Sequence, residues 1–128
     1  MIVAGVGCRK GASAAQVTAA VTAALTRAGL APGALGAMAT PAAKGSEPGI
    51  AAAARALRVP LVLIPRAELE AAGPRAATRS ERAVALWNVP SVAEAAALAA
   101  CGPTARLRVP RCAVGPVTCA LADTEEMP

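Results

Sequence analysis

The sequence predicts an α/β fold: a single-domain three-layer sandwich on a mostly parallel mixed sheet, closed by a C-terminal β-hairpin. Three observations lead there. Short apolar runs alternate with alanine-rich stretches of helical period from residue 1 to about residue 100. Two of the junctions carry glycine and charged residues, as strand-to-helix corners do. The end of the chain then switches to two strand-like runs joined across Gly115-Pro116.

In order, Met1 to Val6 reads as a short buried strand. Ser13-Ala14-Ala15-Gln16 has the spacing of a capping box, and the helix it opens runs to about Arg27 with Val17, Val21 and Leu25 on one stripe. Gly29 is its expected C-terminal cap. A turn over Leu30 to Gly33 leads into a second strand, Leu35 to Ala39, ended by Thr40 and Pro41. Ser46 or Glu47 starts the next helix, with Pro48 in the first turn, where a proline costs little. That helix covers about Ile50 to Leu57.

Val59-Pro60-Leu61-Val62-Leu63-Ile64 is apolar on both faces, which predicts a central parallel strand. A short helix follows over Arg66 to Ala72. Gly73 to Arg79 is a polar, proline-containing loop, expected as a mobile lid. Ser80 to Trp87 is helical, Asn88 to Pro90 breaks it, and Ser91-Val92-Ala93-Glu94 repeats the capping-box spacing. The last helix reaches about Ala100 before Gly102-Pro103. Arg106 to Ala113 and Val117 to Ala122 form the hairpin, with Pro110 marking an edge or a bulge. The domain spans 1–122, and 123–128 is expected to be a frayed acidic tail.

Composition narrows the chemistry. The 128 residues carry a net charge of +5, which favours an acidic partner. There is no His, so Ser-His-Asp and Cys-His catalytic pairs and imidazole metal ligands are excluded. There is no Tyr or Phe, which leaves Trp87 alone for base stacking, and the basic residues form no dense block; no nucleic-acid partner is expected. Cys8, Cys101, Cys112 and Cys119 include no C-x-x-C pair, so no metal site and no cofactor are expected. No apolar run is long enough to span a bilayer, and the N-terminus lacks a signal-peptide pattern. The expectation is a cytoplasmic protein with no membrane partner.

The corner Gly5-Val6-Gly7-Cys8-Arg9-Lys10-Gly11-Ala12-Ser13 is the leading candidate site. Glycines let backbone approach a ligand, a helix start offers N–H groups, and Arg9 and Lys10 supply charge. Cys8, beside two cations, is expected to favour the thiolate, as a nucleophile or ligand contact; the plain alternative is a small residue filling the turn. The second corner offers Thr40, Lys44 and Glu47, either as ligand contacts and an acid/base pair or as a turn cap and a surface ion pair. Candidate ligand-binding residues are therefore Gly7, Cys8, Arg9, Lys10, Ser13, Thr40, Lys44 and Glu47. The catalytic candidates are Cys8, Lys44 and Glu47. Arg111 and Thr118 are lesser candidates for the far side of a groove, and Trp87 is expected to serve packing rather than stacking on a ligand.

These residues resemble a family. The first corner is similar to the G-x-G-C-R-[RK]-G-x-S signature of the cobalamin biosynthesis CobE / CbiG C-terminal-domain family. Met38-Ala39-Thr40 through Lys44-Gly45-Ser46-Glu47-Pro48-Gly49 resembles its A-T-x-x-x-K-x-x-E-P-G segment. Ser91 to Leu98 resembles its S-V-A-E-A-A-A-L run, and Val109-Pro110-Arg111 with Val117-Thr118-Cys119-Ala120 resembles its ending. Ser46 departs from the pattern, standing where the family more often has an acid; this removes a carboxylate beside Glu47.

CbiG proteins carry further N-terminal domains and open the δ-lactone of cobalt-precorrin-5A. The resemblance implies a free-standing unit taking part in corrin-ring synthesis. It also implies a precorrin or hydrogenobyrinic-acid-type corrinoid ligand, whose carboxylates suit Arg9, Lys10 and the helix N–H groups. Three roles fit: a carrier or accessory for such an intermediate, an enzyme that modifies a precorrin, or a module that docks on other cobalamin-pathway enzymes.

Overall fold

The structure, a computed structural model, describes residues 1–124. Its elements are β1 (Ile2–Cys8), α1 (Ala14–Arg27), β2 (Leu35–Pro41), α2 (Pro48–Leu57), β3 (Leu61–Ile64), α3 (Arg66–Ala72), α4 (Glu81–Trp87), α5 (Val92–Cys101), β4 (Arg106–Val114) and β5 (Val117–Asp123). The sheet order is β3-β2-β1-β5-β4. β1, β2 and β3 are parallel; β5 runs antiparallel to both β1 and β4. This is the expected three-layer α/β domain.

Alternation along β1 sends its side chains to two cores. Ala4 and Val6 join Val17, Val21 and Leu25 of α1 and Ile50 of α2 on one face. Val3 joins Leu69 of α3 and Leu98 of α5 on the other. Ser13 makes the capping box as read: its hydroxyl accepts from Gln16 N–H at 3.1 Å, and the Gln16 side chain accepts from Ser13 N–H at 2.9 Å. Gly29, at φ +71°, ends α1 in the left-handed conformation, with Leu30 N–H donating to the Leu25 carbonyl.

α5 lies directly on β1. Gly5 makes this possible, because a Cβ there would collide with the backbone carbonyl of Ala93 and come within 2.9 Å of the Ala97 side chain. Ala93, Ala95, Ala96 and Ala97 are fully buried, so small residues let this helix sit close.

The β3 run is not central. It is the outer edge of the sheet, and Val62 and Leu63 are 37% and 46% exposed. An apolar run reports the side chains a strand carries, but not which strand becomes its neighbour. Here β5 returns on the far side of β1, so β1 takes the central position and β3 is left at the edge. Pro60 and Pro65 flank β3 and keep the open edge short.

Three smaller readings also change. β2 continues through Thr40 to Pro41. The Gly73–Arg79 loop is no free lid. It begins with a 3-10 turn, Arg75 donates to the carbonyls of Gly102 and Ala105, and the N–H groups of Ala77 and Thr78 are held by Glu94. Of the expected tail, Asp123 is the last residue of β5, where it pairs with Arg108 at 3.1 Å; residues 125–128 lie outside the described residues. Pro110 stands as anticipated, on an edge strand where the β4–β5 register shifts between Val109 and Cys112.

Candidate functional site

Parallel pairing of β1 and β2 brings their carboxyl ends to one edge of the sheet, so the two glycine-bearing corners meet. Gly11 N–H donates to Glu47 Oε2 at 3.3 Å, and Gly49 at the start of α2 packs against the Ala12 carbonyl so closely that a Cβ has no room. The hairpin turn closes on the same edge: Arg9 N–H donates to the Pro116 carbonyl at 3.1 Å.

Beside this junction lies a groove of about 800 Å³. β1 contributes Gly7 and Cys8, and the first corner contributes Arg9 and Lys10. Lys44 comes from the second corner. The start of α4 gives Ser80, Arg82 and Ala83, and its end gives Leu86 and Trp87. Val92 of α5 and Arg111, Ala113 and Thr118 of the hairpin strands complete most of the lining. Thr118 donates to the Gly7 carbonyl at 3.2 Å, which fixes β5 against the floor. Among the described residues, five side chains with fixed positive charge face this groove and no carboxylate lines it. Leu86, 54% exposed, sits among those cations as a bare apolar surface beside Trp87.

The sequence candidates divide. Gly7, Cys8, Arg9, Lys10 and Lys44 are brought together, and the lesser candidates Arg111 and Thr118 join them; Trp87, expected to serve packing, also lines the groove. Ser13, Thr40 and Glu47 are not among the lining residues. Ser13 is spent on its capping box, and Thr40 is fully buried with its hydroxyl donating to the Val6 carbonyl at 2.9 Å. Glu47 caps α2 by backbone position and ties the two corners together through Gly11; no ion pair joins it to Lys44 among the described residues. Sequence reasoning missed Arg82 and Leu86. Their signal is a leucine and an arginine four residues apart, on one side of a helix too short to bury either.

The thiol of Cys8 also differs from expectation. Burial raises its pKa above the ordinary value; Lys44 pulls it down by a smaller amount, and Glu47 pushes it up again. Arg9 and Lys10 are exposed to solvent, and desolvation of the sulfur outweighs the nearby cation. Cys8 is thus a protonated, slow thiol at neutral pH. Its alkylation by iodoacetamide at pH 7 is expected to be slower than that of a cysteine in a short peptide. Lys44→Met should slow it further and Glu47→Gln should quicken it. A rate above the peptide's would show that the groove stabilises the thiolate.

Cys119 is fully buried and its pKa is raised by the same cause, while Cys112 donates to the Cys119 carbonyl at 3.4 Å. A second cleft, of about 220 Å³, lies by Arg106, Leu107, Arg108 and Asp123, where Asp123 offsets the positive charge. Among the described residues no group of three or more Cys, Asp or Glu side chains is placed to hold a metal ion, and no single helix is long and apolar enough to cross a membrane.

Comparison with known proteins follows the same outline. The family described as Cobalamin synthesis G C-terminus matches residues 2–122. A protein named CobE from Sinorhizobium sp. is 40% identical over 121 residues, spanning 94% of this chain and 79% of its own. The crystal structure of CobE, a protein from the cobalamin (vitamin B12) biosynthetic pathway, superposes with a TM-score of 0.89 at 33% identity, covering 95% of this chain and 89% of the other. The cobalamin biosynthesis protein chiG from Agrobacterium tumefaciens str. C58 gives 0.78 at 38% identity, covering 98% and 100%. A cobalamin biosynthesis protein G homologue from Sulfolobus solfataricus, 22% identical, shares the fold at a TM-score of 0.75 over 97% of this chain and 37% of its own.

Proposed function

Because the chain belongs to the Cobalamin synthesis G C-terminus family, a family of the cobalamin biosynthetic pathway, we propose that its groove binds a polycarboxylate precorrin or hydrogenobyrinic-acid-type intermediate, as a carrier or accessory. The observation that carries this reading is the groove's lining: among the described residues it has five cations, no carboxylate, and an apolar patch at Leu86, Trp87 and Val92. A corrin-type ligand is a broad apolar ring fringed with acetate and propionate groups. Such a ligand meets cations at its rim and hydrocarbon at its face. The volume suits a ligand at the upper end of the small-molecule range.

Binding is favoured over catalysis by the state of the candidate catalytic groups. Cys8 holds its proton, has no imidazole to take it, and sits near a lysine that is not paired with Glu47. An enzyme acting on a precorrin is the second reading, and the half-buried Cys8 thiol inside the groove is the observation that favours it.

Titration with hydrogenobyrinic acid tests the proposal, read by the ligand's visible spectrum and by quenching of Trp87, the single tryptophan. Saturable binding is expected, and Arg9→Ala with Lys10→Ala should weaken it at least about tenfold, the worth of one charge-assisted contact. Binding unchanged in that double variant would move the site away from the first corner. Formation of a new corrinoid product by the chain alone would overturn the carrier reading in favour of the enzyme.

A further inference from the structure

Among the described residues, the charged group most deeply enclosed is absent from the groove lining. Glu94, in the first turn of α5, is fully buried and has no ion-pair partner among the described residues. Its capping-box spacing is only half used: Glu94 N–H donates to Ser91 Oγ at 3.3 Å, but the carboxylate does not turn back. Instead Oε1 accepts from Ala77 N–H at 2.8 Å and Thr78 N–H at 2.9 Å. Oε2 accepts from the Thr78 hydroxyl at 3.0 Å and from Arg111 N–H at 2.8 Å. A buried carboxylate is costly unless every lone pair is met, and here four donors meet it.

Those donors belong to two elements that both reach the groove. Thr78 stands two residues before Ser80, the cap of α4, which carries Arg82 and Leu86. Arg111 sits on the β4 bulge; its N–H faces the helix layer and its side chain lines the groove. We infer that Glu94 is a positioning residue for ligand binding: its two oxygens tie the α4 approach and the β4 bulge to α5, and so fix where Arg82 and Arg111 present their charge. The inference rests on the proposed groove function. It adds a residue that touches no ligand and acts through two that do.

The test uses Glu94→Gln, which keeps the shape but replaces one acceptor oxygen with an N–H donor. The amide can then satisfy the 77–78 loop or Arg111, but not both. Hydrogenobyrinic acid is expected to bind this variant about tenfold more weakly than the parent chain. In a chain already carrying Arg82→Ala and Arg111→Ala, the same change should cost less than about threefold, because the groups being positioned are gone. An equal loss in both backgrounds, or no loss in either, overturns the inference.

Amide hydrogen exchange on the ligand-free protein provides the independent arm. Ala77, Thr78 and Arg111 should exchange roughly tenfold faster in Glu94→Gln, while β1 amides stay as protected as in the parent. If the parent chain does not bind hydrogenobyrinic acid, the groove reading fails, and exchange still decides whether Glu94 holds the two elements; unchanged exchange overturns it. Where Glu94→Gln does not fold, Glu94→Asp serves instead. It keeps both oxygens but is one methylene short, so a partial loss of affinity and protection is expected.

Discussion

Gly5→Ala is expected to destabilise the chain by about 3 kcal/mol or more, a fall in melting temperature of roughly 10 °C or beyond. The added methyl group would collide with the Ala93 carbonyl oxygen and stand 2.7 Å from Ala97 N. Both are backbone atoms of α5, so no side-chain rotation relieves the clash; the helix must lift from the sheet. Lifting it opens the core around Val3 and Leu98 and disturbs Val92 at the groove. Gly33→Ala is the matched control. A Cβ there meets nothing within 4 Å, and the change should stay within about 0.5 kcal/mol. Urea denaturation of both variants makes the comparison. Equal, small effects at the two glycines would mean that α5 does not rest on β1 as described.

The second large effect is on binding. Lys44→Glu with Arg82→Glu reverses two of the five groove cations, taken from two different elements. If the groove holds the proposed ligand, each change removes a charge-assisted contact with a carboxylate and adds a repulsion, so affinity for hydrogenobyrinic acid should fall at least about 100-fold. The melting temperature should hold within a few degrees, because neither side chain is buried and neither has an ion-pair partner among the described residues. Salt offers a second readout. Parent affinity should weaken as ionic strength rises and surface charge is screened, and the variant's residual binding should respond less. Retention of parent affinity within about threefold would leave these cations as solvated surface charge and would remove the main support for the groove.

Much of this protein is written locally. The capping box at Ser13, the glycine stop at Gly29, Pro48 opening α2 and the hairpin across Gly115-Pro116 are all short-range physics, and each forms where its residues stand. The alternation of strand and helix gave the α/β class for the same reason. The family resemblance was legible too, because each segment that carries it, from Gly5 to Ser13 onward, is a contiguous run of residues. So were Gly7, Cys8, Arg9 and Lys10 as one side of the site.

What depended on distance along the chain was decided only by the tertiary structure. The apolar run of β3 went to the edge because β5, 53 residues or more farther on, occupies the other flank of β1. Thr40 and Ser13 left the candidate site because their hydroxyls are consumed by neighbouring backbone. Cys8 turned from an expected thiolate into a protonated thiol because burial outweighs nearby charge, and burial is not a property of the nine residues around it. Glu94 shows the same separation most plainly. Its spacing from Ser91 reads as a helix cap, but its carboxylate serves a loop 16 residues earlier and a bulge 17 residues later. The sequence alone determined the elements, the family and the charge of the first corner. Packing determined which cations share one groove and what holds them there, because those contacts join residues that only the folded sheet brings together.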